Sequence, residues 1–473
     1  MESRSHAFKQ QAAQALHDEG LQQALGGLKH GFAANRARAR ANLPEFEQLR
    51  DQAKAIKEHT LAHLDLYLEE YEKKVTETGG QVHWAATAQD AREAILSICR
   101  KAGARTVTKG KSMVGEEIAI NEHLEAAGIR AVETDLGEYL IQIRKEPPSH
   151  IIAPAIHLTM EQVETDFRKL HTHLPPDRPL EEPSELVAEA RAILREQFLA
   201  ADVGITGANF LIAETGSSVI VTNEGNGDLT QCLPRVHIVI ASLEKVVPTL
   251  EDASTILRVL ARSATGQEFS TYTTFSTGPK RPGDPDGPDE YHVVLLDNGR
   301  TNMLGGDFHD MLRCIRCGAC MNHCPVYNVV GGHAYGWVYP GPMGAVLTPS
   351  LIGIDKAGHL PNASTFCGRC EAVCPMRIPL PAMMRKWRER EYERGGTPLL
   401  FRIGLKLWAQ VARRPKLYHR LTAFLMPLLA RLGGRRRMFR TLPGARGWTQ
   451  YRDFPAPEGQ TFQQQWRGRG GRR

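Results

Sequence analysis

The sequence predicts an α/β domain with a largely parallel sheet, then a cysteine-rich ferredoxin-like α-helical domain, with helical segments at both ends. Three observations carry this prediction. Helix-periodic and strand-like segments alternate between about residues 76 and 300. Seven of the nine cysteines fall between Cys314 and Cys374. Apolar residues at three- and four-residue spacing recur on either side of those blocks.

Residues 1–75 form the first helical segment. Leu43-Pro-Glu-Phe opens a long pattern with few breakers that runs through Leu61, Leu64 and Leu68 to Val75. Residues 76–300 follow as the α/β domain. Helices are expected at Ala91–Ala102, closed by Gly103, at Glu116–Ala127, closed by Gly128, and at Leu186–Leu199. Strands are expected at Thr106–Thr108, Arg130–Glu133, Phe210–Ala213, Ser218–Thr222, His237–Ala241 and His292–Leu296, where β-branched or apolar runs sit between Gly-rich turns. Gly278–Pro288 is a loop by composition. The cysteine domain occupies residues 301–384. A basic helical region covers 385–473, with apolar stripes at Leu405, Trp408 and Val411 and at Leu421, Phe424, Leu425 and Leu428, and its last 25 or so residues have a disordered composition.

Bulk composition narrows the class. The chain has 473 residues, 42% hydrophobic and 24% charged, as in ordinary globular proteins. Its longest apolar run, Leu421–Ala430, contains Thr422 and Pro427 and falls well short of the ~20 residues that span a bilayer. The N-terminal sequence lacks the features of a signal peptide, so a cytoplasmic protein is expected. In that compartment thiols stay reduced, and a dense cysteine cluster reads as metal binding before disulfide. Cys99 and Cys232, standing alone, read as ordinary buried thiols. The net charge of +6 conceals an asymmetry: from Arg385 onward there are 22 Lys and Arg against 5 Asp and Glu, a net of +17. Such a tail suits an acidic partner or an anionic membrane surface; no DNA-reading motif accompanies it, so nucleic acid is not expected.

The chemistry lies in the cysteines. Cys314-Ile-Arg-Cys317-Gly-Ala-Cys320-Met-Asn-His-Cys324-Pro325 is C-x2-C-x2-C-x3-C-P, the bacterial ferredoxin run. A compact loop turns three thiolates toward one cubane, and the fourth points to the other cluster of a pair. Ser364-Thr-Phe-Cys367-Gly-Arg-Cys370-Glu-Ala-Val-Cys374-Pro375 fits the same template with Ser364 in the first place. The cross-over rule assigns Cys314, Cys317, Cys320 and Cys374 to cluster one. Cys324, Cys367 and Cys370 fall to cluster two, which then lacks a fourth thiolate. That site is either a [3Fe-4S] cluster or a [4Fe-4S] cluster whose fourth iron is held by Ser364, by water or by a histidine such as His323 or His333. A zinc ribbon needs four ligands, and neither seven cysteines nor paired C-x3-C-P endings serve it.

Two further stretches, Lys109-Gly-Lys-Ser-Met-Val-Gly-Glu-Glu-Ile and Thr206–Gly227, are rich in small and polar residues. They read as turn chemistry at strand ends, where free N–H groups can also receive phosphate or carboxylate. Neither is a P-loop or a G-x-G-x-x-G, so no nucleotide fingerprint is present.

These stretches, with Glu133-Thr-Asp-Leu-Gly-Glu-Tyr, Pro147-Pro-Ser-His-Ile-Ile-Ala-Pro-Ala, Glu244-Lys-Val-Val-Pro, Tyr339-Pro-Gly-Pro-Met-Gly-Ala-Val and both cysteine motifs, give the chain a resemblance to the lactate utilization protein B family over essentially its whole length. The resemblance implies an α/β domain like that of CoA transferases and ribose-5-phosphate isomerase, two [4Fe-4S] clusters, and membership of a three-protein system that oxidises L-lactate to pyruvate and allows growth on lactate. It implies that this subunit transports electrons among its partner subunits; the acceptor is left open. Two other readings stay open. The α/β domain is itself catalytic, since Thr222-Asn-Glu224-Gly-Asn resembles the glutamate–glycine turn of CoA transferases with a different residue order, or the clusters form a redox-sensing scaffold without turnover.

Overall fold

The computed structural model describes residues 3–441, 449 and 452–470. In chain order its strands up to Arg390 are β1 (Gln81–Ala85), β2 (Thr106–Gly110), β3 (Arg130–Glu133), β4 (Val203–Gly207), β5 (Phe210–Ile212), β6 (Ser217–Thr222), β7 (Val236–Ser242), β8 (Val246–Val247), β9 (Tyr272–Ser276) and β10 (Glu290–Leu296). Six of them form an all-parallel sheet in the order β1-β10-β7-β4-β2-β3.

The sequence of β7 and β10 explains their central place. Both are continuous apolar runs rather than alternating ones, as strands covered on both faces must be. Ile238, Ile240, Val294 and Leu296 pack on one face with Ile95 and Ile98 of the helix Ala88–Lys101. Val239, Ala241, Val293 and Leu295 pack on the other with Leu64, Leu68, Tyr71 and Val75 of the helix Leu64–Glu77.

The structure departs from the sequence expectation at several elements. The runs at β5 and β6 leave the parallel sheet and join a second, mixed sheet of order β8-β5-β6-β9. Strand β4 is not among the strands expected from the sequence. Gly204 is required there by packing, since a Cβ would stand 1.9 Å from the Thr230 carbonyl oxygen. The helix expected over Glu116–Ala127 is two, Met113–Glu117 and Ile120–Ala126, divided by Ala119 at φ 54°. The long N-terminal pattern likewise breaks at His63, between Phe46–Ala62 and Leu64–Glu77.

Residues up to Arg390 form one compact unit and the remainder a second. In the first, the N-terminal helices, the mixed sheet and the cysteine loops share a single core that holds Phe46, Leu49, Ile212, Val219, Ile315, Met343 and Trp387. Buried arginines join these parts. Arg50 donates to the carbonyls of Ala372 at 2.9 Å and Cys374 at 3.1 Å, and Arg36 donates to that of Val373 at 2.8 Å. Trp387, 5% exposed, stacks on Phe308 at 4.1 Å and donates Nε1–H to the Val346 carbonyl.

The second unit contains the helices Leu399–Ala412 and Pro415–Leu432, neither of which has a buried residue. Trp408, Phe424, Leu425 and Leu428 are exposed, Phe424 by 74%. A helix over Phe462–Gly470 stands inside the stretch whose composition suggests disorder; residues 450, 451 and 471–473 of that stretch lie outside the described residues. No described helix is long and apolar enough to cross a membrane.

Candidate functional site

The two cysteine motifs adopt one backbone plan twice. Arg316 and Gly318 are left-handed, at φ 58° and 74°, on either side of Cys317; Phe366 and Gly368, at 53° and 78°, do the same around Cys367. A short helix follows each, Ala319–Asn322 and Arg369–Ala372. Such alternation rolls the loop so that its N–H groups face a common centre, a concavity suited to anions.

The loops exchange their last cysteines. One cavity is lined by Cys314, Cys317, Cys320 and Cys374, with Ile151, Met343 and Ile378. Another is lined by Cys324, Cys367 and Cys370, with Ser364, Pro325 and Pro342. The seven predicted site residues thus line two cavities, four in the first and three in the second. Ser364 stands at the position of Cys314 in the repeated plan, and its Oγ accepts the Phe366 N–H at 3.1 Å. Neither His323 nor His333 lines the second cavity. The Nδ1 of His323 bonds the Ala319 carbonyl, and His333 bonds the Pro147 carbonyl beside Glu146 and His157. Cys99 is buried in the sheet core, while Cys232, expected to be buried, is only partly so because it ends a helix beside the Gly278–Pro288 loop.

The donor set fits iron–sulfur clusters. Burial, then the neighbouring Cys374, pushes the Cys317 thiol up to about 12. Cys320 is likewise raised well above the usual thiol range, by burial and then by Cys317, Cys314, Cys374 and Cys370. Thiols so crowded ionise only with cationic metal among them, and soft thiolates at this spacing are the ligands of cubane clusters. The second group is more open. Cys367 is exposed, and its pKa is lowered, chiefly by the backbone N–H of Arg369.

An ion-pair network connects the first cysteine loop to the parallel sheet. Arg316, between Cys314 and Cys317, lies 3.2 Å from Glu244 and 4.5 Å over the Tyr339 ring. Glu244 also pairs with Arg300 at 3.1 Å, and Arg300 pairs with Glu117 at 2.7 Å. The Tyr339 hydroxyl donates to Glu117 at 2.6 Å. Burial disfavours the Glu244 charge, but Arg300 and Arg316 outweigh it and hold the group down at about 2.

Beside this network, at the carboxyl edge of the parallel strands, lies a cavity of about 170 Å³. The Gly-Lys-Ser turn after β2 and the turns after β4 and β6 line it through Lys111, Ser112, Asn209 and Thr222. These are the stretches that sequence reasoning singled out. It missed Lys245 and Arg316, which line the same cavity. The only sequence signal for them was their place in a resemblance-bearing stretch and inside a cysteine motif. Glu224 is half-exposed and paired with Lys111 at 3.2 Å.

A LUD domain model matches residues 68–296, a 4Fe-4S dicluster domain model matches 310–378, and a model for the C-terminal region of lactate utilisation protein B matches 372–471. The dicluster match, on loops with the thiol arrangement described above, gives the chain two [4Fe-4S] clusters. Lactate utilization protein B of Bacillus licheniformis is 42% identical over 457 residues, covering 96% of this chain and 95% of that one. The same-named protein of Bacillus subtilis is 42% identical, with 96% and 95% covered. An Escherichia coli protein described as the uncharacterized electron transport protein YkgF is 40% identical, again with 96% and 95% covered. A crystal structure of a DUF162 family protein from Deinococcus radiodurans covers 49% of this chain and 98% of its own at 16% identity, with a TM-score of 0.26. With identity of this order along nearly its entire length, the chain belongs to the lactate utilization protein B family.

Proposed function

We propose that this protein is the electron-transferring iron–sulfur subunit of a system that oxidises L-lactate to pyruvate. The observation that carries the reading is the exchange of Cys324 and Cys374 between two thiol-lined cavities, one whose cysteines are all buried or half-buried and one that includes exposed Cys367. Cys314, Cys317, Cys320 and Cys374 would hold the first cluster, and Cys324, Cys367 and Cys370 the second, with Ser364 in the same lining as a candidate ligand for its remaining iron. When bound, clusters of this kind accept and release one electron each. Lactate oxidation to pyruvate releases two electrons and two protons, so the chain must relay twice per turnover or fill both centres. Arg316 holds positive charge against the first cysteine loop, which favours its reduced form, and exposed Cys367 offers the contact with a redox partner.

The wider reading follows from the family. The α/β domain is taken to have the architecture of CoA transferases and ribose-5-phosphate isomerase. The organisation is an N-terminal helical segment to residue 75, that domain to 300, the two-cluster domain to 384 and a basic helical region beyond. The protein would work in the cytoplasm with the other subunits of the lactate system, its basic tail docking on an acidic partner or an anionic membrane surface. The test is anaerobic reconstitution with the partner proteins. L-lactate should bleach the visible absorption of the clusters, whereas clusters that stay oxidised under lactate contradict the reading.

A further inference from the structure

We propose that the cavity at the carboxyl edge of the parallel sheet binds a small carboxylate with an adjacent oxygen, a 2-hydroxy or 2-oxo acid, against the loop of Cys314 and Cys317. In open parallel sheets ligands settle outside the carboxyl ends of the strands, and this cavity lies beyond β2, β4 and β7. Its 170 Å³ is below the ~300–1,000 Å³ of pockets for drug-sized ligands, so it takes a few heavy atoms and not a dinucleotide.

The charge balance of the lining calls for an anion. Lys111 is paired with Asp135 and Glu224, and Arg316 is paired with Glu244. Lys245 is 8% exposed and, among the described residues, has no ion-pair or hydrogen-bond partner. Burial lowers it to about 8, with Arg316 pressing the same way and Glu244 and Cys314 opposing. An unpaired buried cation is strongly disfavoured unless an anion joins it. Of the carboxyl groups in the lining, Asp135 is paired with Lys111, and Glu138 is pushed up, by burial first and then by Glu133 and Asp135, toward its neutral form.

The ligand's second pole is uncharged. Thr222 Oγ1 is buried in the lining without a hydrogen-bond partner, and Asn209 stands beside it in the turn after β4. A hydroxyl or keto oxygen next to the carboxylate satisfies Thr222, and the single unpaired ammonium matches the single charge of a monocarboxylate better than the double charge of phosphate. The restriction to 2-oxygenated acids rests on the lactate reading; the anion site does not.

The experiment is anaerobic calorimetric titration of the full-length, cluster-loaded chain with L-lactate, pyruvate, acetate and inorganic phosphate. One of the 2-oxygenated acids should bind one per chain, about tenfold or more tighter than acetate. Lys245→Met should weaken that binding about tenfold or more while iron content and the EPR spectrum stay unchanged, and Lys245→Arg should retain part of it. Binding that ignores Lys245→Met, or no binding of any probe, overturns the site. Phosphate binding tighter than either acid, or acetate binding as tightly as pyruvate, overturns the ligand class. If lactate reduces the clusters in the reconstituted system while no probe binds this chain, the electron-transfer reading stands and this inference falls.

Discussion

The guanidinium of Arg316 lies 3.2 Å from the carboxylate of Glu244, which joins the first cysteine loop to the carboxyl edge of the parallel sheet. Glu244 is buried and the Arg316 side chain is only 11% exposed, so neither is a loose surface charge; the pair fixes the loop in one position relative to β7 and to the cavity beside it.

Arg300 completes that network and should be the residue on which it depends for stability. It is 1% exposed and pairs with both Glu117 and Glu244. Arg300→Met would leave two buried carboxylates short of a partner, a loss on the order of 3–5 kcal/mol. The urea midpoint of the variant should fall accordingly, or its soluble yield should collapse; an unchanged midpoint would show that the network is not structural.

The ligand division is testable one cysteine at a time. Cys320→Ala should remove the EPR signal of the enclosed centre and Cys324→Ala that of the open centre. If both variants lose the same signal, the cross-over assignment is wrong. Ser364→Ala should perturb only the open centre.

Acid should weaken the fold through buried neutral histidines. His237, bonded to Thr206 at 2.8 Å, is lowered to about 3 by burial and then by His292, and burial lowers His150 to about 4. Below pH ~6.5 the unfolded chain takes up protons at these positions that the folded chain refuses. Stability is therefore full above that pH and falls as pH drops toward 4, by roughly 1 kcal/mol per pH unit for each such group. His237→Gln should narrow the gap between urea midpoints at pH 7 and pH 5; an equal gap in variant and parent would contradict the assignment.

The basic C-terminal helices should serve binding and not cluster assembly. From Glu391 onward there are 18 Lys and Arg against 4 Asp and Glu, beside exposed Trp408 and Phe424. A cut after Arg385 would remove Trp387 from the core, so the informative truncation ends at Arg390. It should keep full iron content and lose association with partner proteins or with vesicles of phosphatidylserine and phosphatidylcholine. Association of the intact chain should weaken steeply as salt rises, since these contacts are screened. Normal assembly and electron transfer by the truncated chain would make the tail a solvated appendage.

What the sequence made legible was local. C-x2-C-x2-C-x3-C-P fixes a loop within a dozen residues, and β7 and β10 declare themselves by unbroken apolar runs. What it hid was set by distant parts of the chain. Strand β4 needs Gly204 because the Thr230 carbonyl presses against it. The break at Ala119 falls on a strong helix former and has no local signal. Arg50 reaches the Cys374 carbonyl across 324 positions, and Lys245, Thr222 and Arg316 line one cavity only because separate turns converge on it.

The most direct test of the central claim is an iron count joined to EPR on anaerobically purified protein. Two cubanes require about eight irons per chain and, on reduction, the signals of two neighbouring [4Fe-4S] centres. About seven irons with a three-iron signal in the oxidised protein would contradict the second cubane, and zinc in place of iron would contradict the whole account.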